Sequence, residues 1–161
     1  PPDFHGLRAR LLIKEGDAVC LGTPILEHKD DPRIKIVSPV SGRVSAIVRG
    51  EKRVLQAVVL ESDGKQACQQ HTKFLAASFL ELNRHQIIEH LLATGCWVLI
   101  RQRPFQRIPD PDVQPKAIFV QAVNTEPLAA DPEFILKGQE EDFQRGIDIL
   151  SKLTERTVHI C

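Results

Sequence analysis

Apolar and polar residues follow one pattern in the first part of the chain and another in the second. Over residues 7–61, short runs rich in β-branched residues (10–13, 34–37, 43–48 and 54–60) are separated by turn signals. The turns are Glu15-Gly16-Asp17, Leu21-Gly22-Thr23-Pro24, Asp30-Asp31-Pro32, Ser41-Gly42 and Arg49-Gly50. Glycine there can take positive φ without a Cβ penalty, and Pro24 or Pro32 fixes an entry angle. Many short strands at this spacing predict a small closed or sandwiched β-domain over 1–75.

From about Phe74 the period changes. Asn83 is placed to cap a helix, with Gln86 returning the bond in a capping box. Ile87, Ile88, Leu91 and Leu92 form the apolar stripe of that helix, and Gly95 suits the position that ends it. A proline-punctuated stretch, "CWVLIRQRPFQRIPDPDVQP", follows. Residues 117–123 read as a buried strand, and Asp131-Pro132 as an N-cap followed by Pro at the first helical position. One long helix is expected next, with Phe143, Ile147, Leu150 and Leu153 on one face. Its other face carries Glu140, Glu141, Arg145, Asp148 and Lys152. Residues 157–161 then begin another strand. Strand, helix, strand predicts a βαβ unit with parallel pairing, so 76–161 is expected to be an α/β, Rossmann-like domain, incomplete at its C-terminus. The fold class expected for the whole is mixed α and β.

Composition narrows the function classes. The 21 basic and 21 acidic residues cancel, which gives no support to nucleic-acid binding. No segment reaches the roughly 20 apolar residues that a membrane helix needs; the longest, 91–100, is interrupted by Thr94 and Gly95. No secretory leader is seen. The chain begins Pro1-Pro2-Asp3 and holds no Met, so an excised fragment or a processed chain is expected. Cys20, Cys68, Cys96 and Cys161 form no CxxC or zinc spacing. They are expected to be reduced, in a cytosolic setting, with Cys96 and Cys161 as small core residues. His85 and His90 are five apart and share no helix face, so no metal site is expected.

The N-terminal stretch resembles biotinyl- and lipoyl-type barrel modules. "KEGDAVCLGTPIL" matches their strand–turn–strand through Gly16-Asp17 and Gly22, and "SPVSGRVSAI" matches their Pro-x-x-Gly-x-Val element through Pro39, Gly42 and Val44. A swinging-arm carrier would need a lysine at an exposed hairpin tip with characteristic flanks. Lys29, between His28 and Asp30 in "EHKDDPRIKI", lacks those flanks. The carrier function is the alternative to the borrowed scaffold.

Further stretches reach across the whole chain: "SPVSGRVSAIVRGEKRVLQAVVLE", "RQRPFQRIP", "AIFVQAVNTEPLAADP" and "FQRGIDILSKLT". Together they resemble the A-subunit family of the sodium-translocating NADH:quinone oxidoreductase. The resemblance implies a peripheral subunit on the cytoplasmic side of the bacterial inner membrane. Its partners would be the other subunits of the complex, above all the quinone-binding membrane subunit, and in one variant ubiquinone itself. The complex would use NADH, flavins, an iron–sulfur centre and ubiquinone to couple electron transfer to sodium export.

The family also resembles the NADH- and flavin-binding subunit of respiratory complex I, which implies a second alternative, a flavin- or NADH-binding electron-transfer domain. Those relatives carry a glycine-rich phosphate cradle after the helix that matches 83–94. Here the stretch reads "GCWVLIRQRPF", with no glycine between Gly95 and Gly138, and only Glu126-Pro127 remains of their acidic element. No cofactor is therefore expected on this chain. No catalytic residue is expected either, and the fragment itself is expected to serve structure and assembly.

The residues singled out for contact with quinone or a partner are Arg101, Arg103 and Phe105, with Arg107 beside them. Phe105 offers an aromatic face and arginine can polarise a quinone oxygen. Arg49, Lys52 and Arg53 make a second basic element, at a hairpin tip, suited to anionic lipid or another subunit.

Overall fold

The computed structural model describes residues 4, 6–71 and 81–161. The expected boundary at 75/76 and the change of period near Phe74 lie outside the described residues. The Cα trace separates into two compact units, residues 1–73 with 89–110, and residues 74–88 with 111–161.

The first unit is built on two three-stranded antiparallel sheets. One has the order β1-β3-β4, from Ala9–Leu11, Pro24–His28 and Lys35–Val37. The other has the order β2-β5-β6, from Ala18–Val19, Gly42–Arg49 and Leu55–Ser62. Ile13, Val19, Ile25, Leu26 and Val44 form one buried cluster, flanked by half-buried Leu11, Ile36, Ile47, Val58 and Leu60. This is the sandwiched β-domain that the short runs and turn signals of the sequence predict.

The two sequence motifs earn their residue types locally. Lys14 N donates to Asp17 Oδ2 at 2.8 Å, and Gly16 N donates to the Val44 carbonyl at 2.8 Å. Val44 N returns to the Asp17 carbonyl at 2.9 Å, so the Gly16-Asp17 turn is fastened onto β5. In "SPVSG", Ser38 Oγ donates to the Val40 carbonyl and Ser41 Oγ to Asp63 Oδ1, each at 2.6 Å. At Gly42, with φ +154°, an added Cβ would stand 1.9 Å from the Glu61 carbonyl oxygen. Only glycine lets β5 and β6 approach that closely.

α1 (Arg84–Ala93) starts with the predicted capping box. Gln86 N donates to Asn83 Oδ1 at 2.9 Å and Asn83 N donates to Gln86 Oε1 at 3.0 Å. Gly95 ends it at φ +73°. A 3₁₀ turn, Cys96–Leu99, buries Trp97 and Val98, and the Trp97 indole donates to the Pro109 carbonyl at 2.9 Å.

In the second unit, β7 (Ile118–Val120) pairs in parallel with β8 (Val158–Ile160) in the register Ile118↔Val158, as the βαβ pattern predicts. β7 is shorter than the expected strand 117–123, because beyond Val120 the amides of Ala122 and Val123 both turn to the single Cys161 carbonyl. The expected long helix is two: α2 (Pro132–Leu136) and α3 (Glu140–Ser151). Gly138, at φ +81°, breaks the run, and Glu140 Oε1 accepts its amide at 3.0 Å. Asp131 caps α2 by accepting from Glu133 N at 2.9 Å. Within this unit the Arg84 guanidinium donates to the carbonyls of Leu153 and Val113 at 3.2 Å and of Pro111 at 3.4 Å.

All four cysteines are unpaired and exposed. Cys96 and Cys161 are thus not core residues as expected. Cys96 opens the 3₁₀ turn on its solvent side while its neighbours Trp97 and Val98 turn inward, and Cys161 follows the short edge of β8. Among the described residues, no helix is long and apolar enough to cross a membrane.

Candidate functional site

The stretch Arg101–Arg107 in the first unit forms a narrow loop closed by an antiparallel bridge, Gln102↔Arg107, with Gln102 N donating to the Arg107 carbonyl at 2.7 Å. The Arg103–Pro104 peptide is cis, and Gln106 turns the chain at φ +53°. Phe105, at the end of this loop, is 69% exposed.

The three arginines have different roles. Arg101 is half-buried; its guanidinium donates to the Val98 and Ile100 carbonyls and lies 4.9 Å from the centroid of the Phe4 ring. It therefore pins the base of the loop. Arg107 lies over Phe105, 5.4 Å from the ring centroid, within reach of a cation–π attraction. Arg103 is exposed and has no hydrogen-bonding or ionic partner among the described residues.

Of the predicted trio, Arg103 and Phe105 share the exposed end of the loop, and Arg101 does not join them. The arginine that meets Phe105 is Arg107. Sequence alone gave it no preference over Arg101, since the two flank Phe105 in "RQRPFQR". The discriminating contact is Phe4, far away in sequence.

Elsewhere, Lys29 sits at the end of β3 rather than on a free tip. Its amide donates to the Arg8 carbonyl at 2.8 Å, and ion pairs Arg8–Asp30 (3.0 Å) and Arg33–Asp31 (2.8 Å) tie down the loop that follows. After Gly95, the 3₁₀ turn buries Trp97 and Val98. A Cβ on Gly95 would stand 2.7 Å from a Val37 methyl, so even the one glycine is used for packing. Glu126 lies in a turn at the end of β7, its amide donating to Asn124 Oδ1 at 3.1 Å. Among the described residues no group of three or more His, Cys, Asp or Glu is arranged to hold a metal ion.

His90, on α1, is held below its ordinary pKa by its surroundings. Partial burial lowers its pKa from the usual value, and the nearby His71 lowers it further.

The two parts of the chain match two family models: residues 1–63 the NqrA N-terminal barrel-sandwich hybrid domain, and residues 82–161 the NqrA second alpha/beta domain.

The chain belongs to the NqrA family.

Curated relatives agree. The A subunit of the Na(+)-translocating NADH-quinone reductase of Neisseria meningitidis serogroup A / serotype 4A (strain DSM 15465 / Z2491) is 42% identical over 159 residues, 99% of this chain. That of Neisseria gonorrhoeae (strain NCCP11945) is likewise 42% identical, and that of Yersinia pseudotuberculosis serotype O:1b (strain IP 31758) is 41% identical over 160 residues. The match spans 35% of the length of these relatives. The resemblance drawn from the sequence motifs is thus correct. The NqrA barrel-sandwich match also identifies the scaffold shared with carrier modules as a domain of this family.

Proposed function

We propose that the chain is part of a peripheral subunit of a sodium-pumping NADH:ubiquinone reductase, on the cytoplasmic side of the bacterial inner membrane. The observation that carries this is the 42% identity, over 99% of the chain, to the A subunit of a Na(+)-translocating NADH-quinone reductase. In this reading the complex passes electrons from NADH through flavins and an iron–sulfur centre to ubiquinone, and the residues of this chain serve structure and assembly. They hold no nucleotide: the turn after Gly95 is filled by Trp97 and Val98, which supports that part of the reading. The contact with the quinone-binding membrane subunit, or with ubiquinone, falls to Arg103 and Phe105, with Arg107 behind the ring and Arg101 anchoring the loop.

The test is purification of the tagged full-length protein from native membranes. Recovery with membrane flavoproteins and sodium-stimulated NADH:quinone activity is expected. Recovery alone, or with acyltransferases and a mass increment on Lys29, overturns the reading. Photolabelling of the complex by a quinone analogue then addresses the loop. Phe105→Ala should reduce labelling of this subunit, and unchanged labelling removes quinone from the role of the loop.

A further inference from the structure

Three arginines on or beside the β1-β3-β4 sheet stand in ion pairs: Arg8 with Asp30, Arg10 with Glu27 and Arg33 with Asp31. The three cations gathered at the tip joining β5 to β6 do not. Arg49, Lys52 and Arg53 have no acidic partner among the described residues, although Glu51 lies in the same turn. The Arg49 guanidinium instead donates to the Arg53 carbonyl at 3.3 Å, which gathers these two cations at one end. Lower on the same hairpin, charge is balanced, with Arg43 directly opposite Glu61.

The backbone adds a second observation. Lys52 and Arg53 take φ of +53° and +60°, consecutive left-handed residues without glycine. Each costs roughly 1 kcal/mol relative to a residue that tolerates this region. Gly, Asn or Asp would form the same turn more stably. A turn that accepts this cost twice in order to carry cations points to a use for them. The third observation is apolar: Val48 and Val54, flanking the turn, are 41% and 63% exposed.

We propose that this tip docks on an anionic lipid surface, the cations meeting headgroup phosphates and Val54 entering the headgroup region. The tip is too small to supply the roughly 800 Å² per partner of a stable protein interface. A flat anionic surface asks only for a few projecting cations beside an apolar side chain, each cation contributing about fivefold to partitioning. The inference rests on the peripheral-membrane reading above and adds which element faces the lipid.

The experiment is cosedimentation at low salt with phosphatidylcholine vesicles containing about 30% phosphatidylglycerol. Binding should be lost on vesicles of phosphatidylcholine alone and fall with added salt. Arg49→Gln/Lys52→Gln/Arg53→Gln should weaken it on the order of 100-fold. Lys29→Gln/Lys116→Gln/Lys137→Gln, which removes the same charge elsewhere, should leave binding within about threefold of wild type. Lys52→Asn/Arg53→Asn should raise the melting temperature while weakening binding. Equal losses in the two triple variants, or no loss in the tip variant, overturn the proposal. It also falls if the tip variant binds vesicles normally but is no longer recovered with other subunits, because the tip is then a protein contact. Recovery from membranes, which tests the parent reading, is scored separately, so either can fail alone.

Discussion

The β-rich unit and the α/β unit handle apolar surface in different ways. In the first, strands from two sheets converge on one cluster, and Val44 at its centre is 1% exposed. In the second, α3 contributes no fully buried side chain, and Phe119, Phe134, Ile135 and Ile160 are each more than half exposed. On the open face of its parallel pair the Phe119 ring merely stacks on His159, with centroids 4.9 Å apart. Parallel sheets are ordinarily covered on both faces, whereas a small antiparallel sandwich closes on itself. Stability in the β-unit is therefore concentrated in one cluster of side chains that touch one another, while the α/β unit buries fewer, Ile87, Ile88 and Leu153 among them, and leaves its strand pair half open.

The sharpest way to break that comparison is at Gly42. Gly42→Ala puts a methyl into the Glu61 carbonyl at a left-handed φ, and should cost roughly 3 kcal/mol or more, enough to be seen as loss of the folded β-unit by circular dichroism and denaturant titration. Next comes a matched pair of truncations. Leu26→Ala, at a side chain 6% exposed within the cluster, should cost about 3 kcal/mol. Phe119→Ala, which removes a larger side chain that is 68% exposed, should change stability by less than about 0.5 kcal/mol. Equal effects in urea titrations would mean that the two units do not differ as described.

The smallest effect sharpens the picture within the β-unit. His90 is held below its ordinary pKa of 6.5, first by burial and then by His71. Above that value both folded and unfolded forms are neutral and the shift has no effect. As the pH falls below it, the unfolded chain takes up a proton that the folded chain refuses, so stability declines until the folded group also titrates. His90→Gln should flatten this acid-side decline, measured as melting temperature between about pH 7 and pH 5; an unchanged slope would exonerate His90.

What the sequence made legible was local. The Asn83–Gln86 capping box, the Gly95 stop and the Asp131 cap each depend on residues within a few positions, and each stands as read. The β-branched runs marked β1, β4, β5 and β6 but not β2 or β3; in β3, Ile25, Leu26 and Glu27 are buried in succession, so no alternation announces it. The break between α2 and α3 was missed, although Gly138 was in view, since an interior glycine only lowers helix propensity and the choice of φ +81° is made by the surrounding fold. The exposure of Cys96 and the assignment of Arg101 to Phe4, leaving Arg107 to cover Phe105, depend on how distant segments meet. No spacing rule reaches that far.

The pairing of β7 with β8 sets an order of events. β5 and β6 are joined by a turn of a few residues, so their ladder can zip as soon as the second strand has emerged from the ribosome. Among the described residues β7 has no partner until α2, α3 and then Val158–Ile160 have been synthesised. Until then Ile118, Phe119 and Val120 wait as an unpaired apolar edge. The interval in which these three residues are exposed to misassembly is therefore set by the length of the crossover, and it ends when β8 arrives.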